Sequence, residues 1–299
     1  MRNRKEKAVN RGGVFKGRSA YLYIAPFILT HFLMTVAPAI YSFILSFFQY
    51  RGYGKARYVG FQNYLNLFKL SSAQRAMGNT LFYYVAHLIP CLLFGFVLAY
   101  LVYSKLRDPR IQRVFKPIFY LPQMCSTVAC GLVFNIIFGT NIGVINQLLG
   151  TKIPFLTNTG LIKLPVVVAI VWRTSGWYFL ILLSGMTTVS NDLIEASVVD
   201  GANSWQQVFH IIIPVMKPIF AFLIITETMS SLKVWTEPSI ITKALSATSI
   251  PLSAAPYVDV IVSNLEGGQY GVASAAGWIL FVVILIFTQV YTRVFNERL

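Results

Sequence analysis

The chain has 299 residues, of which 56% are hydrophobic and 12% charged, and a formal net charge of +15. That charged share is about half that of an ordinary soluble domain; a globule of this size could not cover itself with polar groups, so a soluble fold is excluded and lipid must be the solvent for much of the chain. Nor does the positive charge point to nucleic acid, because the basic residues gather at the ends of apolar segments and no stacking platform or RNA motif accompanies them.

Residues 1–20 form a basic tail in which Arg2, Arg4, Lys5, Lys7, Arg11, Lys16 and Arg18 precede an apolar run. This is the pattern that holds an N-terminus on the cytoplasmic side of a membrane. The charge-free stretch 19–50 far exceeds the roughly 7–15 residues of a signal-peptide core and has no small-residue cleavage site, so it is expected to stay as a membrane helix.

The first span, 21–50, contains Pro26 and Pro38 and is predicted to bend. A polar stretch, 51–77, leads to the second span, 79–103, which contains Pro90 and is followed by a basic hinge of Lys105, Arg107, Arg110, Arg113 and Lys116. The third span, 117–138, is joined by a Gly/Asn-bearing loop to the fourth, 164–189. The fifth covers 214–235, and a long loop, 236–270, with Pro238, Pro251, Pro256 and Gly267-Gly268 precedes the sixth, 271–291.

Each apolar core is close to the roughly 20 residues that cross a bilayer as a helix. Alternating ten-residue strands are absent, and backbone groups in lipid must be satisfied within each segment. The fold class is therefore all-α transmembrane, with six helices in one domain, 21–299. Cys91, Cys125 and Cys130 fall in apolar segments without metal spacing and read as small buried hydrophobes.

With six spans both termini lie on one side, the cytoplasmic one. The first external loop carries Arg51, Lys55, Arg57, Lys69 and Arg75, a sparser set than the hinge at 105–116, so the orientation stands. The loop at 190–207 is then cytoplasmic although it has no Lys or Arg.

That loop reads as two short helices joined by a tight turn. Asp192 and Glu195 form a capping-box pattern for the first helix, Asp200-Gly201 ends it, and Ser204 with Gln207 starts the second. Pro214 and Pro218 hand the chain to the fifth span. Leu193, Ile194, Ala196 and Val198 are the expected apolar face of a knob that docks into another protein. A helix lying on lipid would carry Lys or Arg on its polar face; this one carries Asp192, Glu195 and Asp200.

The segment resembles the EAA loop of permease subunits in bacterial binding-protein-dependent ABC importers. Glu195-Ala196-Ser197, then Asp200-Gly201-Ala202, then Ile211 to Pro214 follow the family pattern, with Ser197 in place of the second Ala and Ile213 in place of Leu. The stretches VGFQNYLNLF (59–68), Asn79-Thr80, YLPQMCSTV (120–128) and GVASAAGWILF (271–281) are similar to the maltose and multiple-sugar branch. Where that branch often has T-x-G-G-P after the fifth span, this chain reads TKALSATSIPLSAAPY.

The resemblance implies a six-helix permease whose EAA loop, about 190–214, is the coupling helix seated in a cytoplasmic ATPase. Glu195, Ala196, Ser197, Asp200, Gly201 and Ala202 would make that coupling site. No G-x-x-x-x-G-K-[ST] phosphate loop is present. The chain is thus expected to be no enzyme and to bind no cofactor, ATP and Mg²⁺ belonging to the partner ATPase. The implied partners are a second related permease, two ATPase subunits, an extracytoplasmic solute-binding protein, the carbohydrate and membrane lipid, with no nucleic acid.

Ionisable residues inside spans are costly and are functional candidates. Arg173, Glu227 and Lys233 stand out. One reading pairs Arg173 with Glu227 across the fourth and fifth helices and lets Lys233 snorkel to the interface. The other lines a water-accessible cavity with Gln123, Thr127, Arg173, Thr174, Trp177, Thr226, Ser230 and Lys233, donors and an aromatic face of the kind sugars need; these match the sugar-site positions of maltose-type permeases. Small residues at four-residue spacing in the sixth span, Gly271/Ala275 and Ala273/Gly277, suit packing against a partner subunit.

The expected function is the membrane pathway of an ATP-driven carbohydrate importer, of the oligosaccharide type. Arg173 and Lys233 keep open a permease for an anionic sugar or sugar phosphate. A self-contained channel or secondary transporter would show inverted repeats or paired broken helices, and no internal symmetry is visible.

Overall fold

The computed structural model describes residues 18–105, 109–243 and 249–296. Most of the basic tail and Arg107 of the hinge lie outside the described residues.

The first span is one continuous helical run made of α1 (Arg18–His31), a π turn (Phe32–Val36) and α2 (Ala37–Leu45). Immediately before Pro38, which has no N–H to give, the Ala37 N–H reaches back five residues to the Phe32 carbonyl. The helix stops at Leu45, short of the predicted 50. There β1 (Phe48–Gln49) pairs antiparallel with β2 (Arg57–Tyr58). The Asn63 side chain, at the start of α3 (Gln62–Lys69), donates to the carbonyls of Ser46 (2.8 Å) and Phe48 (3.0 Å), which pins this small cap over the helix end.

The second span, α4 (Ser71–Lys105), begins two turns earlier than predicted and runs for 35 residues. The third is not one helix. α5 (Pro109–Met124) and α6 (Thr127–Ile137) meet at 87° across Cys125-Ser126. After α7 (Val144–Leu149), the fourth span is α8 (Lys163–Met186). Within α7, the buried Asn146 side chain donates to the carbonyls of Gly139 and Thr140 before the helix and Ile153 after it, and holds the loop in shape.

α9 (Asn191–Val199) follows. Then α10 (Ser204–Gln207), a π turn (Val208–Ile212) and α11 (Ile213–Val215) continue as one stretch, which meets α12 (Lys217–Ser231) at 65°. The predicted loop 236–270 instead contains α13 (Thr236–Thr242) and α14 (Tyr257–Glu266), and the chain closes with α15 (Tyr270–Asn296). Among the described residues, four helices are long and apolar enough to cross a membrane, and the two bent pairs make six if each is one span. Two of the six predicted spans, the third and the fifth, are therefore bent pairs rather than single straight helices.

The bundle is tight where small residues sit at crossings. A Cβ at Gly176 would run into the Phe119 carbonyl oxygen, so the backbone of α5 lies directly on α8. Around that crossing Tyr178, Phe179, Leu182 and Met186 are wholly buried with Cys91, Ala99 and Met216. In lipid such contacts hold helices together by close packing and not by escape from water.

The small residues of α15 serve this chain itself. Ala273, Ala275 and Ala276 are buried, and a Cβ at Gly271 would meet the Phe48 carbonyl. The expected packing of that stripe on a partner subunit is thus corrected; Gly277, which has open space beside it, is the exception. Cys91 and Cys130 are buried as expected, but Cys125, at the break between α5 and α6, is exposed.

The Asn79-Thr80 pair acts as an anchor for the segment that leads into α14. Asn79 Nδ2 donates to the carbonyls of Leu252 (3.0 Å) and Ala255 (2.8 Å), Thr80 Oγ1 accepts from the Tyr257 N–H (2.7 Å), and Tyr83 donates to Ala254 (2.9 Å). This fastens the start of α14 to α4.

Candidate functional site

All eight side chains singled out from the sequence line two adjoining cavities. One, of about 240 Å³, is walled by α4, α6, α8, α12 and α13 and includes Thr127, Arg173, Thr174, Ser230 and Lys233. The other, of about 370 Å³, opens beside it and includes Gln123, Arg173, Thr174, Trp177, Thr226 and Ser230. Arg173, Thr174, Glu227 and Ser230 belong to both. Arg173 lies ten residues along α8 from Lys163, about 15 Å of helix, near the middle of a hydrocarbon core roughly 30 Å thick.

Local backbone accounts for the gathering. The break at Cys125-Ser126 turns Gln123 and Thr127, on either side of it, toward the same space as α8. A break leaves helix-end groups unsatisfied, which at membrane depth is tolerated only beside protein or a water-filled cavity. α13 fills the outer side: Asn135 of α6 donates to the Ile241 carbonyl at 2.7 Å.

The ion pairs differ from the expected one. Arg173 does not meet Glu227. Its Nη2 donates to Glu237 of α13 at 2.6 Å, and Nη1 reaches the Gln123 side-chain oxygen at 3.5 Å. Glu237 is buried at 6% exposure, so this is an internal pair. Arg173 Nε is buried and lacks a hydrogen-bond partner among the described residues.

Glu227 pairs instead with His87 of α4, 3.1 Å from Nδ1, and accepts from Ser231 at 2.6 Å. The other ring nitrogen of His87 lies 2.6 Å from Thr174 Oγ1, which itself donates to the Ile170 carbonyl. α4, α8 and α12 are thereby joined by one polar cluster. His87 was not singled out, yet it is the only His, Asp, Glu, Lys or Arg within 79–103, and the cost of intramembrane ionisable groups was the signal that marked it. Lys233 is exposed just past the end of α12 and lines the smaller cavity.

Trp235 closes the outer wall of that cavity. Its indole N–H donates to Asp259 of α14 at 3.2 Å, and Lys243 Nζ stands 5.6 Å from the ring centroid. Burial raises the Asp259 carboxyl above its usual range, with the indole hydrogen bond and Lys243 opposing that rise.

The second candidate site is the knob at α9 and α10. Ser190, not Asp192, is the N-cap of α9 and accepts from the Asp192 N–H. The second capping box sits one residue earlier than predicted, on Asn203 and Gln206. The turn is as expected: Gly201 has φ +80°, its N–H bonds to Val198, and the Ala202 N–H bonds to Ser197, a Schellman closure that glycine reaches at no steric cost.

Ser197 is buried, and its Oγ accepts from Gln207 Nε2 at 3.0 Å, so the residue that departs from the family pattern ties the two knob helices together. Ile194 packs inward against the core around Tyr178, which corrects its expected place on the docking face. The apolar residues that do stand free are Leu193, Val198, Val199 and Trp205. Glu195, Ala196, Asp200 and Gly201 are exposed beside them, and Ala202 is half-buried.

Residues 91–299 match the family model described as the binding-protein-dependent transport system inner membrane component. The arabinooligosaccharides transport system permease protein AraP of Bacillus subtilis (strain 168) is 28% identical over 279 residues, covering 91% of this chain and 86% of that protein. The trehalose/maltose transport system permease protein MalF of Thermococcus litoralis is 25% identical over 295 residues, covering 95% of each. Among solved structures, a chain of a bacterial ABC transporter involved in the import of the acidic polysaccharide alginate superposes with a TM-score of 0.81 at 22% identity. The match covers 93% of this chain and 95% of that one, which establishes a shared fold.

Proposed function

The chain belongs to the family of binding-protein-dependent transport system inner membrane components, and from that premise we propose that it is the membrane-spanning permease subunit of an ATP-driven carbohydrate importer, of the oligosaccharide type. The observation that carries the reading is the gathering of Gln123, Thr127, Arg173, Thr174, Trp177, Thr226, Ser230 and Lys233 around two joined cavities at mid-span depth. Hydroxyl, amide and guanidinium groups beside an indole face suit a sugar, which has many hydroxyls and an apolar ring side. The names of the relatives, which carry arabinooligosaccharides, trehalose and maltose, support the same class.

ATP and Mg²⁺ are held by two partner ATPase subunits in this reading. A second related permease completes the pathway, and an extracytoplasmic binding protein delivers the sugar. Both termini and the knob are cytoplasmic. Force applied at α9 has a short route to the cavity. The Ser197–Gln207 hydrogen bond and Ile194 packing couple α9 to the stretch from Ser204 to Val215; that stretch turns at Met216 into α12, which carries Thr226 and Ser230 and leads directly to Lys233.

Trp177→Ala tests the site. Loss of the indole face should remove about 1–3 kcal/mol of contact with the sugar. Uptake should fall while the separate binding protein keeps its affinity. Normal uptake with the assembly intact would put the pathway elsewhere.

Impermeant thiol labelling tests the orientation. In a background with exposed Cys125 replaced, Lys55→Cys should react in intact cells and Ser204→Cys should not. Labelling of Ser204→Cys from outside would invert the topology and remove the ATPase contact with it.

A further inference from the structure

We propose that Glu237 is a specificity residue that reserves the cavity for neutral carbohydrate, by occupying the guanidinium of Arg173 that an acidic sugar would otherwise use. The proposal rests on the carbohydrate reading above and adds the charge class of the substrate.

Arg173 is the cation best placed to hold a carboxylate, since its planar fork matches that group. Here the fork is already engaged, with Nη2 on Glu237 at 2.6 Å and Nη1 turned to Gln123. Glu237 comes from α13, the segment folded back into the outer end of the bundle, and it is buried. An incoming uronate would have to displace a buried carboxylate or lie beside it, and like charges that close together repel strongly away from water.

The remaining charges offer an anion little. The smaller cavity is lined by Arg173, His87 and Lys233 and by Glu227 and Glu237; Arg173 is paired with Glu237 and His87 with Glu227, which leaves Lys233 as the cation outside these pairs among the lining residues. Glu227 is drawn to His87 and Ser231. Lys233 is exposed, so its charge is largely solvated and contributes little pull. A neutral sugar meets no such penalty: the Thr127, Thr174 and Ser230 hydroxyls line the cavity beside a compensated ion pair. The sequence reading that took Arg173 as a sign of an anionic substrate overlooked the counter-charge, which lies 64 residues away in the chain.

The test uses the complete transporter in lipid nanodiscs without its binding protein, so that delivery does not filter the sugars. Equilibrium binding is measured for a neutral linear tetrasaccharide and a tetrauronate of the same length. The native complex should prefer the neutral sugar by about tenfold or more. Glu237→Gln, which keeps the size and a hydrogen-bonding oxygen, should shift the ratio toward the tetrauronate by about tenfold. The Arg173→Gln/Glu237→Gln double variant should lack that gain, because no freed cation remains.

An unchanged ratio in Glu237→Gln, or a native preference for the tetrauronate, overturns the specificity role and leaves the carbohydrate reading standing. Loss of both sugars in Glu237→Gln with native binding intact makes Glu237 a structural residue and also overturns it. Binding of neither sugar by the native complex overturns the carbohydrate reading itself, and this inference with it.

Discussion

Charge reversal at Glu195 is expected to abolish uptake while the chain still inserts and folds. Glu195 is exposed on α9 and has no side-chain hydrogen bond or ion pair among the described residues, and Asp192 and Asp200 flank it to make an acidic face without any Lys or Arg. An ATPase cleft that accepts this face must offer basic groups. Glu195→Lys would set like charges against each other at a desolvating contact, a penalty of several kcal/mol; about 4 kcal/mol is a thousand-fold in affinity.

Gly201→Val reaches the same end by another route. A Cβ there meets nothing within 4 Å, so the whole effect comes from forcing a β-branched residue into φ +80°. Co-purification with the ATPase should fall sharply for Glu195→Lys and in part for Gly201→Val. Native uptake by Glu195→Lys, with the chain in the membrane, would end the coupling role.

The parts of the fold legible in the sequence are those governed by local rules. α8 matches its predicted span closely because apolar length is all that a straight crossing needs. The Gly201 turn is legible because one residue type satisfies one backbone conformation. The break at Cys125-Ser126 was not: Pro117 and Pro122 both lie inside α5, and the chain breaks at two residues that carry no breaker signal. Helix α13 was taken as loop since its seven residues, Thr236–Thr242, are too few to show a period and carry a proline.

For the site, the polar residues on spans could be named because lipid excludes them, and the bundle turns them to one place. Their partners could not be named. Pairing depends on helix rotation and on α13 folding back, and neither leaves a local trace. Hence one reading of the sequence pairs Arg173 with Glu227, the obvious opposite charge in a neighbouring span, whereas Glu227 belongs to His87 and Arg173 to Glu237.

That exchange of partners makes His87 a strong test of what holds the bundle together. His87 has 3% side-chain exposure and contacts Glu227, Ser231 and Thr174, so α4 is bonded to both α8 and α12 through one ring. His87→Leu would keep the volume but leave the Glu227 carboxylate, itself 12% exposed, with the Ser231 hydroxyl of its own helix to bond to. Removing one member of a buried pair costs about 3–5 kcal/mol in water-soluble proteins, because the other charge stays buried alone. Hydrogen bonds between membrane helices average only about 0.6 kcal/mol, so the measurement separates an ion pair from an ordinary polar contact.

The melting temperature of the complex in nanodiscs should therefore drop markedly for His87→Leu. It should recover most of that loss in His87→Leu/Glu227→Leu, where no charge is left unpaired. Recovery would be incomplete because Glu227 also lines both cavities and touches water there, so leucine loses some hydration that the carboxylate had. Equal drops in the single and double variants would mean that packing at the α4–α8 crossing, not charge pairing, is what His87 provides.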